Sequence, residues 1–262
     1  IGCGAERSNE DAAHSVGLFG TTEQVLLMRK LHTTLGVSSA LFLCLALGVT
    51  TSRAQETRSA RDVAALVQSF YDQSPAFEAR FQQRQVTRLQ NRTEQASGRV
   101  VFEKPGKMRW DYDAPNGQVY VSDGSRLVIY QPAEEGEEHG QIIDREISDH
   151  QLPQAFSFLT GTGRLDRDFT FRLLDPDRYG MQNGYVLELR PRQPTAHYDK
   201  ILFYVRVVEQ GGRSAGVIRR VLIVDSAGNR NRFDFSEMTF PRDVPDARFR
   251  FRAPAGTRRV QP

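Results

Sequence analysis

Cysteine is almost missing from this 262-residue chain: Cys3 and Cys44 are the whole supply, and both precede residue 55. If the chain is cut after Ala54, the remainder can form no disulfide and no thiolate metal site. Histidine is as thin, with His139, His150 and His197 beyond residue 55, each isolated and none at metal-ligand spacing. There is no Gly-x-Ser-x-Gly elbow, no phosphate-cradling glycine loop and no zinc-protease helix. Asp123-Gly124 and Asp225 are acidic, but an Asp-Gly pair between two strands needs only turn chemistry. A strong charge bias is absent too: 35 Lys and Arg stand against 32 Asp and Glu, a net +3, which is no nucleic-acid footprint. These absences leave an enzyme, a resident metal or cofactor, and a nucleic-acid partner without residues to support them.

Long apolar runs are also lacking, with one short exception. Met28-Arg29-Lys30 precedes Leu41-Phe42-Leu43-Cys44-Leu45-Ala46-Leu47, which is followed by Ser52-Arg53-Ala54. A basic start, a short apolar centre and a small-x-small cut site make a secretory signal peptide. A retained membrane anchor is the alternative, but the apolar centre falls well short of the ~18–20 residues that span a bilayer. Cys44 is preceded by Phe42 and Leu43 rather than by the small residues that lipid attachment wants. The chain therefore divides into residues 1–27, a non-native or mis-assigned extension with translation starting at Met28; residues 28–54, the signal peptide; and residues 55–262, a single monomeric domain with room for a large core.

In that domain Val63, Leu66, Val67 and Phe70 recur at helical spacing behind Ser59, a natural cap, and Ser74-Pro75 ends the helix. The period then changes to two. Phe77, Ala79 and Phe81 alternate with Glu78, Arg80 and Gln82 in a long strand that continues weakly through Val86 and Leu89. Strands are predicted over 98–104, 107–112, 118–122, 126–131 and 141–145, separated by turn sequences such as Pro105-Gly106 and Asp123-Gly124. Pro153–Gly161 reads as a short amphipathic helix. Alternation resumes at 169–174, 185–190, 201–208, 217–225 and 232–239, and again at Phe249-Arg250-Phe251, where the arginines suit the wet face of a strand. The total is mainly β with a few helices: one large antiparallel sheet that must close, pair or be covered to bury its apolar face.

Several stretches, in order, carry a resemblance. They are Phe77-x-Ala79-x-Phe81; Gly98 ahead of Lys104-Pro105; Arg109-Trp110; Ser122-Asp123-Gly124; Tyr130 and Pro132; Phe158-Leu159-Thr160-Gly161; and the ending Phe249-x-Phe251-x-x-Pro254-x-Gly256. This set resembles the periplasmic outer-membrane lipoprotein carrier family known as LolA. The resemblance implies an unclosed antiparallel β-barrel with an α-helical lid over an apolar cavity that holds lipoprotein acyl chains. It further implies a periplasmic location, no cofactor, an inner-membrane ABC transporter as donor of cargo and an outer-membrane receptor as acceptor. A carrier of another lipid, glycolipid or hydrophobic metabolite, and a lipoprotein-sensing regulatory domain, are the alternative readings of the same fold.

Phe77, Phe81, Met108, Trp110, Val119, Val121, Leu127 and Ile129 are the expected acyl-chain liners, and Phe156, Phe158 and Leu159 the expected lid residues. Alternating apolar residues are also the ordinary core of any β protein. The family places an arginine before the proline at position 105, where it is implicated in hydrogen-bonding the lid shut. This chain has Lys104 there, which keeps the charge but lacks the planar fork. Lys104 and Arg109 are therefore the candidate latch residues, with a plain exposed strand end as the other reading of Lys104.

Overall fold

The computed structural model describes residues 58–146, 161 and 163–260. The proposed signal peptide at 28–54, and the lid helix at 153–160 with Phe156, Phe158 and Leu159, lie outside the described residues.

Helix α1 (Ala60–Gln73) begins at the predicted cap. The Ser59 hydroxyl accepts from the Asp62 N–H at 3.2 Å, and the Asp62 carboxylate accepts from the Ser59 N–H at 3.0 Å, a reciprocal capping box. Val63, Val67 and Tyr71, four apart, form its buried face with Ala64 beside them. Gly216 lets this helix approach the sheet, because a Cβ there would stand 2.8 Å from the Val67 nitrogen.

Among the described residues twelve strands follow: β1 (Ala76–Thr87), β2 (Arg92–Glu103), β3 (Lys107–Tyr112), β4 (Val119–Asp123), β5 (Arg126–Gln131), β6 (Gln141–Glu146), β7 (Phe169–Leu174), β8 (Tyr185–Pro191), β9 (Lys200–Gln210), β10 (Arg213–Val224), β11 (Arg230–Thr239) and β12 (Arg258–Val260). A single-turn helix, α2 (Leu165–Asp168), precedes β7. Two meanders, β1 to β6 and β7 to β11, join through the antiparallel pair β1–β11 into one sheet, and β12 runs parallel to β6 at one edge. The other edge is β7, so the sheet is unclosed.

The sheet is strongly curved. Trp110 on β3 and Phe233 on β11 bring their ring centroids to 5.4 Å although β2 and β1 run between them. In a flat sheet those two strands would stand roughly 14 Å apart. Gly98 on β2 permits the packing, since a Cβ there would overlap the Asp111 carbonyl oxygen and come within 2.8 Å of the Phe81 ring. The concave face with α1 forms the main core, while Ala76, Val101, Val121, Val244 and Phe249 form a second cluster.

The sequence reading needs correction at three places. β1 ends at Thr87, and Leu89 sits in the hairpin beyond it, 96% exposed. β2 begins at Arg92, since Thr93, Glu94 and Gln95 continue the ladder with β1 despite their polarity. Phe249-Arg250-Phe251 is not a strand: a 3-10 turn over Asp246–Phe249 buries Phe249 in the second cluster. Its carbonyls bond to side chains instead of a ladder, with Arg109 donating to the carbonyls of Arg248 and Arg250 at 3.1 and 3.2 Å.

Candidate functional site

Each strand presents alternate residues to the concave face, and antiparallel register fixes which ones share it. Phe81 on β1 stands opposite Gly98, Trp110 on β3 opposite Tyr120, and Met108 opposite Ser122. On β5, Leu127 stands opposite Ser122 and Ile129 opposite Tyr120. The structure thus brings Phe77, Phe81, Met108, Trp110, Leu127 and Ile129 into one cluster. Phe81 is the hub: its ring lies 4.9 Å from Trp110, 5.0 Å from Tyr112 and 6.1 Å from Phe233, each edge-on.

Val119 and Val121 are placed differently. They stand opposite Asp111 and Arg109 and pack in the second cluster, under Val244 and Phe249. The concave face of β4 is carried by Tyr120 and Ser122 instead. Branched aliphatic residues in Val119-Tyr120-Val121-Ser122 suggested one parity, but the C-terminal segment supplies an apolar partner on the convex side. Phe102, Phe233, Phe235 and Tyr112, which the sequence-based expectation omitted, belong to the concave cluster. Period two running outward from Trp110 finds Tyr112, whereas Phe102 on β2 and Phe233 and Phe235 on β11 share the face through their register with β1, opposite Phe77, Gln83 and Phe81.

Arg109 follows Val121 to the convex face. It forks onto Asp111, with both nitrogen–oxygen distances at 2.7 Å, besides holding the two C-terminal carbonyls. Lys107 on the same face binds Glu103 at 2.9 Å and Asp246 at 2.6 Å, and Glu103 in turn accepts from the Val244 N–H at 2.8 Å. This side of β3 clasps the C-terminal segment.

Lys104 has a different environment. Its backbone N–H donates to the Pro75 carbonyl at 2.9 Å, and its ammonium donates to the Tyr71 carbonyl in the last turn of α1. The Tyr71 carbonyl also accepts from the Ser74 N–H at 3.1 Å, and at the negative end of the helix dipole it favours a cation as a second donor. The aliphatic stem lies along Gly161, where an added Cβ would meet Cδ and Cγ at 3.0 and 3.1 Å. Burial draws the Lys104 ammonium below the ordinary lysine value, and the Asp72 carboxylate partly offsets this.

The two turns after β2 and β4 touch. A Cβ on Gly106 would stand 3.1 Å from the Gly124 Cα, and both glycines have positive φ, +71° and +100°. Ser122, fully buried, donates its hydroxyl to the Gly106 carbonyl at 3.0 Å and accepts from the Gly124 N–H at 3.0 Å. The Pro105-Gly106 and Ser122-Asp123-Gly124 motifs are therefore one structural unit at the rim of the face.

Among the described residues no three His, Cys, Asp or Glu side chains gather where they could hold a metal. The most deeply buried carboxylate, Glu188, 3% exposed, is on the convex side and is paired with Arg172 at 3.0 Å, Arg190 at 3.2 Å and Lys200 at 3.7 Å. Such full pairing is that of a structural ion cluster.

Fold and face together define a class: an open, curled antiparallel sheet whose concave wall is aromatic and whose rim carries a lysine bonded to a helix end. Comparison with known proteins gives the family. The model of the outer membrane lipoprotein carrier protein LolA matches residues 72–252, and the chain belongs to that family. The outer-membrane lipoprotein carrier protein of Bordetella avium (strain 197N) is 31% identical over 199 residues, 73% of this chain and 87% of the relative. That of Dechloromonas aromatica (strain RCB) is 25% identical over 187 residues, 71% of this chain and 82% of the relative. A solved LolA superfamily protein from Nitrosomonas europaea is 17% identical and aligns over 74% of this chain and 98% of its own, with a TM-score of 0.41.

Proposed function

We propose that this protein is a periplasmic carrier, not an enzyme, that holds the acyl chains of lipoproteins against its concave face and moves them from the inner to the outer membrane. Its donor is an inner-membrane ABC lipoprotein-releasing transporter and its acceptor an outer-membrane lipoprotein receptor. The observation that carries the reading is the continuous aromatic wall from Phe77 through Phe81 and Trp110 to Phe233, built in a chain of the lipoprotein carrier family. Each methylene withdrawn from water is worth about 0.8 kcal/mol, so exposing several long chains in transit would cost tens of kcal/mol. A protein that replaces the bilayer's apolar surroundings removes that cost without covalent chemistry. Met108 suits such a wall, because a flexible thioether adapts to mobile chains.

Lys104 acts as the latch in this reading. Its ammonium joins the β2–β3 turn to the end of α1, while its stem bears on Gly161, the last residue of the expected lid helix. Entering chains compete with that hydrogen bond, and its return favours release.

The test is mass spectrometry of an organic extract of the purified domain beginning at Gln55. Diacylglyceryl-cysteine peptides in the extract are expected. Glycolipid alone would move the cargo to another lipid class, and extracts empty of lipid from every preparation would overturn the carrier reading.

A further inference from the structure

Along the concave row of β1 the residues read Phe77, Ala79, Phe81, Gln83 and Gln85: three apolar positions, then two amides. Neighbouring strands change at the same level. On β11, Phe233 gives way to Asn231; β3 ends in Tyr112; and β4 is entered through Gln118, with Tyr120 next on the concave side. The polar end is open. Gln83, Gln85, Tyr112, Asn116, Gln118 and Tyr120 surround a cleft of about 330 Å3. It is continuous with the aromatic wall, because the Tyr112 ring lies 5.0 Å from Phe81 and 6.0 Å from Tyr120.

The hydrogen-bonding capacity of this cleft is only partly used. Gln83 donates to the Asn231 side-chain oxygen at 2.9 Å, and the Tyr120 hydroxyl donates to the Gln118 side-chain oxygen at 3.0 Å. Among the described residues the Gln118 amide nitrogen and the whole Gln85 amide have no partner. Burial raises the Tyr120 hydroxyl, and burial followed by the neighbouring Tyr120 raises that of Tyr112, so both remain protonated donors at neutral pH. Among the described residues no lysine or arginine lines the cleft, and the one ionic group among them, Glu94, is bound to Arg92 at 2.5 Å.

Resting on the lipoprotein-carrier reading, we infer that this amide-and-phenol cleft is a second subsite, which binds the neutral ester, glyceryl and amide groups where acyl chains join the first residues of a lipoprotein. Chains on the aromatic wall place their junction at one end of it, where carbonyl oxygens need donors and amide N–H groups need acceptors. Side-chain amides supply both. A phosphate would find no cation in the cleft and would lose much of its hydration there. The subsite therefore selects lipoprotein over the anionic phospholipid that surrounds it in the membrane, a distinction an apolar wall alone cannot make.

Four probes test this on the purified domain and on Gln83→Leu/Gln118→Leu: diphenylhexatriene, which is wholly apolar; a dipalmitoylglyceryl-cysteine peptide with uncharged residues; dipalmitoyl phosphatidylglycerol; and a neutral galactosyl diglyceride. Wild type should prefer the lipopeptide to phosphatidylglycerol. The double variant should weaken lipopeptide binding at least about tenfold, from two or more lost hydrogen bonds, with diphenylhexatriene binding unchanged or tighter and the thermal midpoint retained. Parallel loss of both probes, or loss of neither, overturns the subsite. Galactosyl diglyceride bound as tightly as the lipopeptide overturns the assignment to the peptide junction. Wild type that binds neither diphenylhexatriene nor lipopeptide fails the carrier reading itself, and the subsite with it.

Discussion

The Lys104 ammonium donates to the Tyr71 carbonyl, tying the turn after β2 to the C-terminal end of α1 across 33 residues of sequence. The bond is half-buried and of the kind worth about 1–3 kcal/mol, weak enough, under the carrier function proposed above, for entering hydrocarbon to displace. Lys104→Leu is expected to accept cargo but release it slowly, with transfer to receptor-bearing vesicles falling roughly tenfold, the rate equivalent of about 1.4 kcal/mol. Lys104→Arg keeps a donor and a charge in reach of the same carbonyl and should transfer at least as well as wild type. Equal rates for Leu and wild type would reduce Lys104 to a strand-end residue.

Gly98 is where the curvature of the sheet can be tested. It stands opposite Phe81 on β1 and Tyr112 on β3, and the Phe81 ring occupies the space a side chain would need. Gly98→Ala must push against both a backbone carbonyl and that ring, so a loss of about 1–3 kcal/mol is expected. Urea unfolding reads it as a lowered midpoint at unchanged slope. A midpoint equal to wild type would mean that the ring does not rest on this glycine.

The two faces of β3 and β4 make opposite predictions. Met108 is 4% exposed within the concave cluster, whereas Val119 packs on the convex side against the C-terminal segment. Met108→Glu places a carboxylate among aromatic rings, at a cost of several kcal/mol if unpaired. It should abolish diphenylhexatriene binding and lower the thermal midpoint. Val119→Glu should loosen the C-terminal segment, seen as faster hydrogen exchange of the Val244 amide, while probe binding persists. Loss of probe binding in both variants would contradict the facing given by the register.

That contrast also marks how far the sequence could be read. Ser59, the Pro105-Gly106 and Asp123-Gly124 turns, and the alternation in β1, β3 and β5 are local signals, and they located the helix start, the turns and most strands. The facing of β4 is not local. Val119 and Val121 look like concave residues until Val244 and Phe249, more than a hundred positions later, fold over the opposite side. Arg109, the second latch candidate, depends on the same distant segment: its partners are Asp111 and two carbonyls of the C-terminal segment. The polar cleft was legible in principle, since Gln83 and Gln85 continue the Phe77-Ala79-Phe81 row. It escaped notice because a period-two search counts only apolar residues.

Asp123 links this turn chemistry to pH. Its Oδ1 accepts from the Arg126 N–H at 2.9 Å, the Ser125 N–H at 2.8 Å and the Ser125 hydroxyl at 2.8 Å. These bonds, the Arg126 amide first and the Ser125 amide next, hold the carboxyl below the usual aspartate range. A depressed value means that the charged form favours the folded state. Its contribution is fully present above the unfolded value of about 4 and is lost as pH falls through the folded value. Asp123→Asn retains an acceptor oxygen without the charge, so at pH 7 it should be less stable by about 0.5–1 kcal/mol, allowing for solvent screening at this exposed turn. The gap should close as pH falls from about 5 toward 2, where wild type has also lost its charge. Asp123→Ala removes the acceptor and should remain less stable than Asp123→Asn across that whole range. Because Gly124 rests on Gly106, the loss should also be felt in the turn after β2, as faster hydrogen exchange at the Lys107 amide. Parallel melting curves for wild type and Asp123→Asn from pH 7 to pH 2 would show that the turn is held by its glycine geometry and not by the carboxylate.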